Sequence, residues 1–115
     1  MRSDDQLLGD ILEATRSLEE YVEGIAKEHF LSNSQMRNAS LAQLIIIGEA
    51  ASKLSSELRN KHPEISWSDI VSNRNFVVHE YFHIEWTIIW NTVTKYAIPL
   101  QEHIFKILES DFPGW

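Results

Sequence analysis

Apolar residues recur at helical spacing along most of the chain and predict four main helices. The first begins after Ser3, which together with Gln6 has the form of a capping box, and the repeat extends it from about Asp4 to Glu28. Its inward face is predicted to comprise Leu7, Ile11, Ala14, Leu18, Tyr21 and Ile25.

The second predicted helix opens at the capping-box pattern Ser32–Gln35 and ends near Lys61, because Pro63 disfavours helical geometry in the residue before it. Gly48 lies inside this helix, where glycine costs about 1 kcal/mol relative to alanine. A close approach by another helix would explain that cost. The helical repeat consists of Leu41, Leu44, Ile45, Gly48, Ala51, Leu54 and Leu58.

A short third helix is predicted to start at Ser66 as N-cap, with Ile65 and Ile70 spaced as a hydrophobic staple. The helical pattern breaks near Phe82–Ile84. A fourth helix then runs from about Glu85 to Leu108, with a core stripe of Trp86, Ile89, Val93, Tyr96, Leu100, Ile104 and Ile107.

Two features of these helices carry further expectations. Pro99 lies inside the fourth helix, so we expect a kink there. The run Leu44–Ile47 is apolar on too many faces for a surface helix in a monomer, which favours either self-association or a position at the centre of the bundle. Trp67, Trp86 and Trp90 are expected in the core or at an interface.

No segment shows sustained β-type alternation, so the predicted fold is all-α, an antiparallel helical bundle forming one domain over residues 1–115. The sequence has no cysteine, which excludes disulfides and thiolate metal sites. The first residues are too polar for a secretory segment, and no apolar run reaches the roughly 18 residues of a membrane span. We therefore expect a cytoplasmic protein.

The net charge of −7 argues against a broad nucleic-acid surface, which needs clustered Lys and Arg. Any binding to phosphates would have to be local, through a few cations in a cleft. Acidity also keeps a small domain soluble, and it would suit a basic partner.

The segment from Asn73 to His83 concentrates reactive side chains between apolar ones. On a helix, Asn75 and His79 share a face, whereas Arg74 and His79 are roughly 140° apart. Arginine offers a permanent bidentate charge for a phosphoryl group, and histidine exchanges a proton near neutral pH. Metal-free RNA cleavage needs those two roles. The same spacing also fits a surface arginine with a capping or core histidine.

A second pattern overlaps the first, because His79, Glu80 and His83 form a His-Glu-x-x-His motif. On a continuous helix the two histidines could bind zinc, with the glutamate as general base. The chain offers no obvious third ligand and no strand to align a peptide. His83 is also expected at a helix end, which would spoil the one-turn spacing. No role is assigned to the remaining histidines, His29, His62 and His103.

The motif Arg74-Asn75-x3-His79-x-Tyr81 resembles the Arg-x4-His-x-Tyr signature of HepT-like toxins in the HEPN superfamily of helical ribonucleases. The resemblance covers nearly the whole chain in order. It includes Asp10–Ala14, Glu20–Gly24, Ile47–Ala51, Lys53–Ser55 and His62–Ile65. One departure is Asn73, where many relatives have an apolar residue before the arginine.

This resemblance implies a HEPN-type bundle of four to five helices and a homodimer in which Arg74 and His79 of both chains face a shared cleft. It implies metal-independent cleavage of RNA without a cofactor, with Asn75 orienting the catalytic pair. It also implies a toxin–antitoxin pair, in which a minimal nucleotidyltransferase antitoxin silences the toxin by adenylylating Tyr81. Neither DNA nor a membrane is expected as a partner.

Two other functions remain open from the sequence. The chain could be a non-catalytic helical module that docks a nucleotidyltransferase, with Tyr81 as a modification target and no nuclease behind it. The second alternative is the zinc hydrolase built on His79, Glu80 and His83.

Overall fold

The computed structural model describes residues 1–115 and contains helices and connecting segments without any β-strand. The seven α-helices are α1 Asp4–Val22, α2 Lys27–Ser32, α3 Ser34–Lys53, α4 Ser56–Lys61, α5 Trp67–His79, α6 Trp86–Asn91 and α7 Ile98–Asp111. A 3₁₀ turn, Tyr81–His83, follows α5, and a π-helical segment, Thr92–Ala97, joins α6 to α7. The predicted all-helical bundle is confirmed. None of the helices is long and apolar enough to cross a bilayer.

Helix α3 lies at the centre of the packing, because it contacts α1 on one side and α5 on the other, while α7 packs against α1. This position explains most of the apolar run in α3, since Leu44 and Ile47 are buried. Ile46 remains 43% exposed. The predicted tryptophans are confirmed in the core region: Trp67 is buried, and Trp86 and Trp90 pack against the core partly buried.

Helix α1 ends at Val22, six residues before the predicted end at Glu28. The chain turns at Gly24, whose φ of +71° lies in the left-handed region that favours glycine. A separate helix, α2, follows and inserts the fully buried Phe30 into the core.

The second predicted helix is two helices. Asn33, rather than Ser32, caps α3 by accepting a hydrogen bond from the Met36 amide at 3.0 Å. The chain then breaks after Lys53, and Ser55 caps α4 through its side chain. Asp4 stabilises this break, because its carboxylate accepts from the Ser55 amide at 2.9 Å and from the Ser55 hydroxyl at 2.6 Å.

A kink was expected at Pro99; the structure has a π-helical segment, Thr92–Ala97, which ends two residues before the proline. Proline lacks an N–H and its ring crowds the carbonyl of Lys95 four residues earlier, so the chain widens there. The wider turn changes the directions in which the side chains of this segment point. Ala97 is buried, and Tyr96, predicted in the core stripe, is 72% exposed.

Candidate active site

Helix α5 carries three of the four predicted site residues, Arg74, Asn75 and His79. Its N-cap is Ser66, as predicted, although the serine side chain makes no capping bond. Only Trp67 and Val77 are buried in this helix. One flank therefore holds α5 to the bundle, and the rest of the helix faces solvent.

The close helix approach predicted at Gly48 is confirmed, and the neighbour is Arg74. A Cβ atom built on Gly48 would lie 2.2 Å from the Arg74 Cβ and 2.8 Å from its Cγ, and 3.3 Å from the Ile70 carbonyl oxygen. No side chain fits in that space. Glycine in α3 thus allows the Arg74 stem to rest directly on the α3 backbone, which explains the cost of a glycine within a helix.

The guanidinium of Arg74 is paired with Glu49, the residue after Gly48. Nη1 of Arg74 donates to Oε2 of Glu49 at 2.8 Å, and the Arg74 side chain is only 24% exposed. Lys53 lies 3.2 Å from the other oxygen of Glu49. The Nε atom of Arg74 is buried and has no hydrogen-bond partner. The sequence analysis assigned no role to Glu49. Its position next to Gly48, where a close helix approach was predicted, could have indicated that it contacts the neighbouring helix.

His79 is the last residue of α5 and is exposed, and its ring has no hydrogen-bond or ion-pair partner. Asn75 is also exposed, one turn earlier on the same face. Because α5 is α-helical throughout, the angle of roughly 140° between Arg74 and His79 holds in the structure. Within one chain, the two side chains leave the helix in different directions.

Tyr81 lies outside the helix that carries Arg74, Asn75 and His79. The helix ends at His79, and Tyr81 begins the 3₁₀ turn. Its hydroxyl donates to Oδ1 of Asn38 in α3 at 2.8 Å. Its ring meets the Trp86 ring edge to face, with centroids 6.3 Å apart. Tyr81 remains 42% exposed.

The end of α5 at His79 also rules out the zinc site considered for His79, Glu80 and His83. A His-Glu-x-x-His site needs both histidines one turn apart on a continuous helix, and α5 ends at His79. His83 lies in the 3₁₀ turn, where its Nδ1 is 3.1 Å from Glu80, the residue that would have served as general base.

A histidine without a predicted role, His62, joins α4 to the end of α7. Its Nε2 lies 2.6 Å from Oδ2 of Asp111, and both side chains are largely buried. The hydrogen bond with His62 is the main cause that lowers the pKa of Asp111 below its ordinary value of 3.8. Lys61 adds a positive charge 3.4 Å from the same carboxylate. This group fastens the end of α4 to the end of α7, and the His62 carbonyl also accepts a hydrogen bond from Nε1 of Trp67, the first residue of α5, at 3.0 Å.

Comparison with known proteins decides the family. The family model described as "Ribonuclease HepT-like" matches residues 11–107, from the middle of α1 to near the end of α7. The chain belongs to the HepT-like ribonuclease family. The protein "Probable ribonuclease HepT" of Thermococcus cleftensis is 35% identical to it over 107 residues, which cover 93% of this chain and 96% of the relative.

A second relative has similar coverage. The protein "Putative RNase TTE0752" of Caldanaerobacter subterraneus subsp. tengcongensis is 34% identical over 111 residues, 96% of this chain and 99% of its own length. No solved structure matches the chain. The family and these relatives support a ribonuclease, and the matched range contains α3, α5 and the turn that carries Tyr81.

Proposed function

We propose that this HepT-like protein is a metal-independent endoribonuclease in which Arg74 and His79 are the catalytic residues. The observation that carries the proposal is the placement of Arg74. Its stem rests on Gly48 and its guanidinium is oriented by Glu49, so a permanent positive charge is fixed before substrate arrives. His79 supplies an accessible, unpaired imidazole on the same short helix.

The proposed reaction uses the RNA itself as nucleophile. His79 takes the proton from a 2′-hydroxyl, and the 2′-oxygen attacks the adjacent phosphorus while the bond to the 5′-oxygen breaks. Arg74 stabilises the negative charge that builds on the non-bridging oxygens. The departing 5′-oxygen takes a proton from water, His79 returns its proton to the solvent, and the products carry a 2′,3′-cyclic phosphate and a 5′-hydroxyl. Asn75, on the face of His79, would orient the imidazole.

The active unit is proposed to be a homodimer. The angle between Arg74 and His79 on α5 separates them within one chain, whereas two copies of α5 facing each other would bring Arg74 of one beside His79 of the other. The solvent side of α5 supports this arrangement, because Phe76 is 50% and Val78 47% exposed. Around the helix these two side chains lie on either side of His79, and exposed apolar surface of this kind marks interfaces.

The biological role is proposed to be that of a toxin in a toxin–antitoxin pair, opposed by a minimal nucleotidyltransferase. Tyr81 is the proposed acceptor: its phenolic oxygen attacks the α-phosphorus of a nucleoside triphosphate, pyrophosphate leaves, and the phenolic proton passes to a base of the partner. The exposure of Tyr81 in the turn beside His79 supports access by such an enzyme. An added phosphate would compete with RNA for Arg74.

The test is cleavage of single-stranded RNA in excess EDTA, with the intact mass of each protein recorded beforehand. We expect cleavage by the wild type and a loss of at least about 100-fold in Arg74→Ala and His79→Ala, as removal of a general base or charge stabiliser predicts. His103→Ala is the matched control, since this exposed histidine lies on α7.

Each failure points to a different conclusion. An unmodified wild type that cleaves no RNA would contradict the nuclease and favour the non-catalytic docking module. A wild type carrying whole adenylyl mass additions would be the silenced form, and it should be assayed again after the groups are removed. Cleavage by His79→Ala at the wild-type rate would overturn the assignment of roles.

A further inference from the structure

The turn that carries Tyr81 is attached to the rest of the molecule by a single long-range hydrogen bond. The backbone bonds of this segment are local: the His83 amide donates to the Glu80 carbonyl at 2.9 Å and the Ile84 amide to the Tyr81 carbonyl at 3.2 Å. The side chains of Glu80 and His83 also pair with each other. Among the hydrogen-bonding groups of the turn, only the Tyr81 hydroxyl bonds a residue of another helix, where it donates to Asn38.

Asn38 can accept this bond in one orientation only. Its Nδ2 donates to the Ser34 carbonyl of its own helix at 2.9 Å, which leaves Oδ1 pointing toward the turn. A carboxamide oxygen is an acceptor and cannot donate. The Tyr81 hydroxyl must therefore be the donor, and the bond exists only while that hydroxyl keeps its proton.

The Tyr81 ring and the Arg37 guanidinium share one aromatic neighbour, Trp86. The Tyr81 ring contacts Trp86, and the guanidinium carbon of Arg37 lies 5.1 Å above the centroid of the same indole ring. Arg37 and Asn38 are neighbours in α3. Tyr81 and Arg37 therefore both pack on the indole ring of Trp86, while the Tyr81 hydroxyl bonds the residue next to Arg37.

We infer that Asn38 is a positioning residue that holds the turn Tyr81–His83 against α3, and that any group placed on the Tyr81 oxygen releases this turn. The inference rests on the proposed function, and it deepens the account of how modification silences the enzyme. Esterification removes the only proton that the bond uses. Because only Glu80 separates the turn from His79, its release loosens the end of α5 that carries the proposed base.

Modification of Tyr81 would therefore weaken catalysis by releasing the turn, in addition to the effects of its charge and bulk. Loss of the bond without any added group should weaken catalysis, since the position of His79 depends partly on the turn after it. The energy of one such hydrogen bond corresponds to roughly a fivefold change in the population of the released turn.

The experiment measures hydrogen exchange at the His83 and Ile84 amides together with RNA cleavage in EDTA. Asn38→Ala should raise exchange at both amides roughly fivefold and lower the cleavage rate by a similar factor. Asn38→Asp keeps an acceptor and should retain slow exchange. Alanine also favours helix more than asparagine, so Asn38→Ala is not expected to unfold α3.

Gln43→Ala is the matched control, because Gln43 lies on the same helix and its side-chain amide also bonds a tyrosine, Tyr21, at 3.2 Å. It should leave exchange at His83 and Ile84 unchanged. In the background of Tyr81→Phe, Asn38→Ala should add no further effect, since the bond is already absent.

Unchanged exchange in Asn38→Ala overturns the inference. Raised exchange with an unchanged cleavage rate rejects the role of the turn in catalysis and overturns it as well. If the wild type cleaves no RNA, the proposed function fails, but exchange in Asn38→Ala still decides whether Asn38 holds the turn.

Discussion

The guanidinium of Arg74 is held by the carboxylate of Glu49 in the neighbouring helix, with 2.8 Å between Nη1 and Oε2. The proposed catalytic charge is therefore oriented before RNA binds, and the carboxylate must share it with a phosphate afterwards. Orientation of this kind lowers the reorganisation that a reaction requires.

Glu49 should act by orienting Arg74 rather than through its own charge. We expect Glu49→Ala to lower kcat about tenfold, the size of one hydrogen bond to a charged group. Glu49→Gln keeps an acceptor for Nη1 and should retain most of the wild-type kcat. Lys53→Ala, which removes the other partner of Glu49, is the control. Equal losses in Glu49→Ala and Glu49→Gln would show that the negative charge, rather than the acceptor, matters.

Gly48 should not tolerate alanine, even though alanine is the better helix former. The added Cβ would lie 2.2 Å from the Arg74 Cβ, so α3 and α5 must separate. We expect the free energy of unfolding, measured with urea, to fall by about 1–3 kcal/mol and cleavage to fall with it.

Gly9 provides the opposite case in α1. A Cβ there would meet Trp115 at 3.6 Å, an ordinary contact. Gly9→Ala should therefore raise the free energy of unfolding by up to about 1 kcal/mol through helix propensity. Equal effects at Gly48 and Gly9 would contradict the close helix approach.

Asp111 should make the stability of the fold depend on acidic pH. Its pKa in the folded protein is lowered, chiefly by the hydrogen bond with His62. A lowered carboxyl pKa stabilises the fold above the unfolded value near 3.8, and this contribution is lost as the pH falls through the folded value. At neutral pH, Asp111→Asn should lower the free energy of unfolding by about 1–2 kcal/mol, because it removes a hydrogen bond to a charged group.

Denaturation curves of wild type and Asp111→Asn from neutral pH to below 3.8 check this prediction. The difference in free energy of unfolding should shrink toward the acidic end. A difference that stays constant across the range would show that the carboxylate charge does not contribute.

The exposed face of α5 that carries Phe76 and His79 should be a dimer contact. Phe76→Glu places a charge on that face and should shift the protein toward monomer in sedimentation measurements, with helical circular dichroism unchanged. Phe105→Glu on α7, whose wild-type side chain is 38% exposed, is the comparison and should stay dimeric. A wild type that sediments as a monomer at all concentrations would exclude the dimer.

The helical fold and the close approach at Gly48 could be predicted because both leave local signals in the sequence. The break after Lys53 could not, since Leu54 and Leu58 continue the apolar repeat while the break depends on Asp4, which lies 51 residues before Ser55. The exposure of Tyr96 was missed because a π-helical segment shifts the repeat.

For the proposed site, the sequence predicted Arg74, Asn75, His79 and Tyr81, but not the residues that bond the Arg74 and Tyr81 side chains. Glu49 and Asn38 both lie on α3, 25 and 43 residues before the side chains they contact. Such pairs depend on how α3 packs against α5 and the following turn, which apolar spacing does not encode.

The most direct measurement is subunit mixing in excess EDTA. Arg74→Ala and His79→Ala, each inactive alone, are combined at equal concentration and allowed to exchange subunits. If Arg74 of one copy acts with His79 of the other, half of the dimers are mixed and each holds one intact pair. Cleavage should then return to about a quarter of the wild-type rate. A mixture that exchanges subunits and stays inactive would contradict a catalytic pair formed across the dimer.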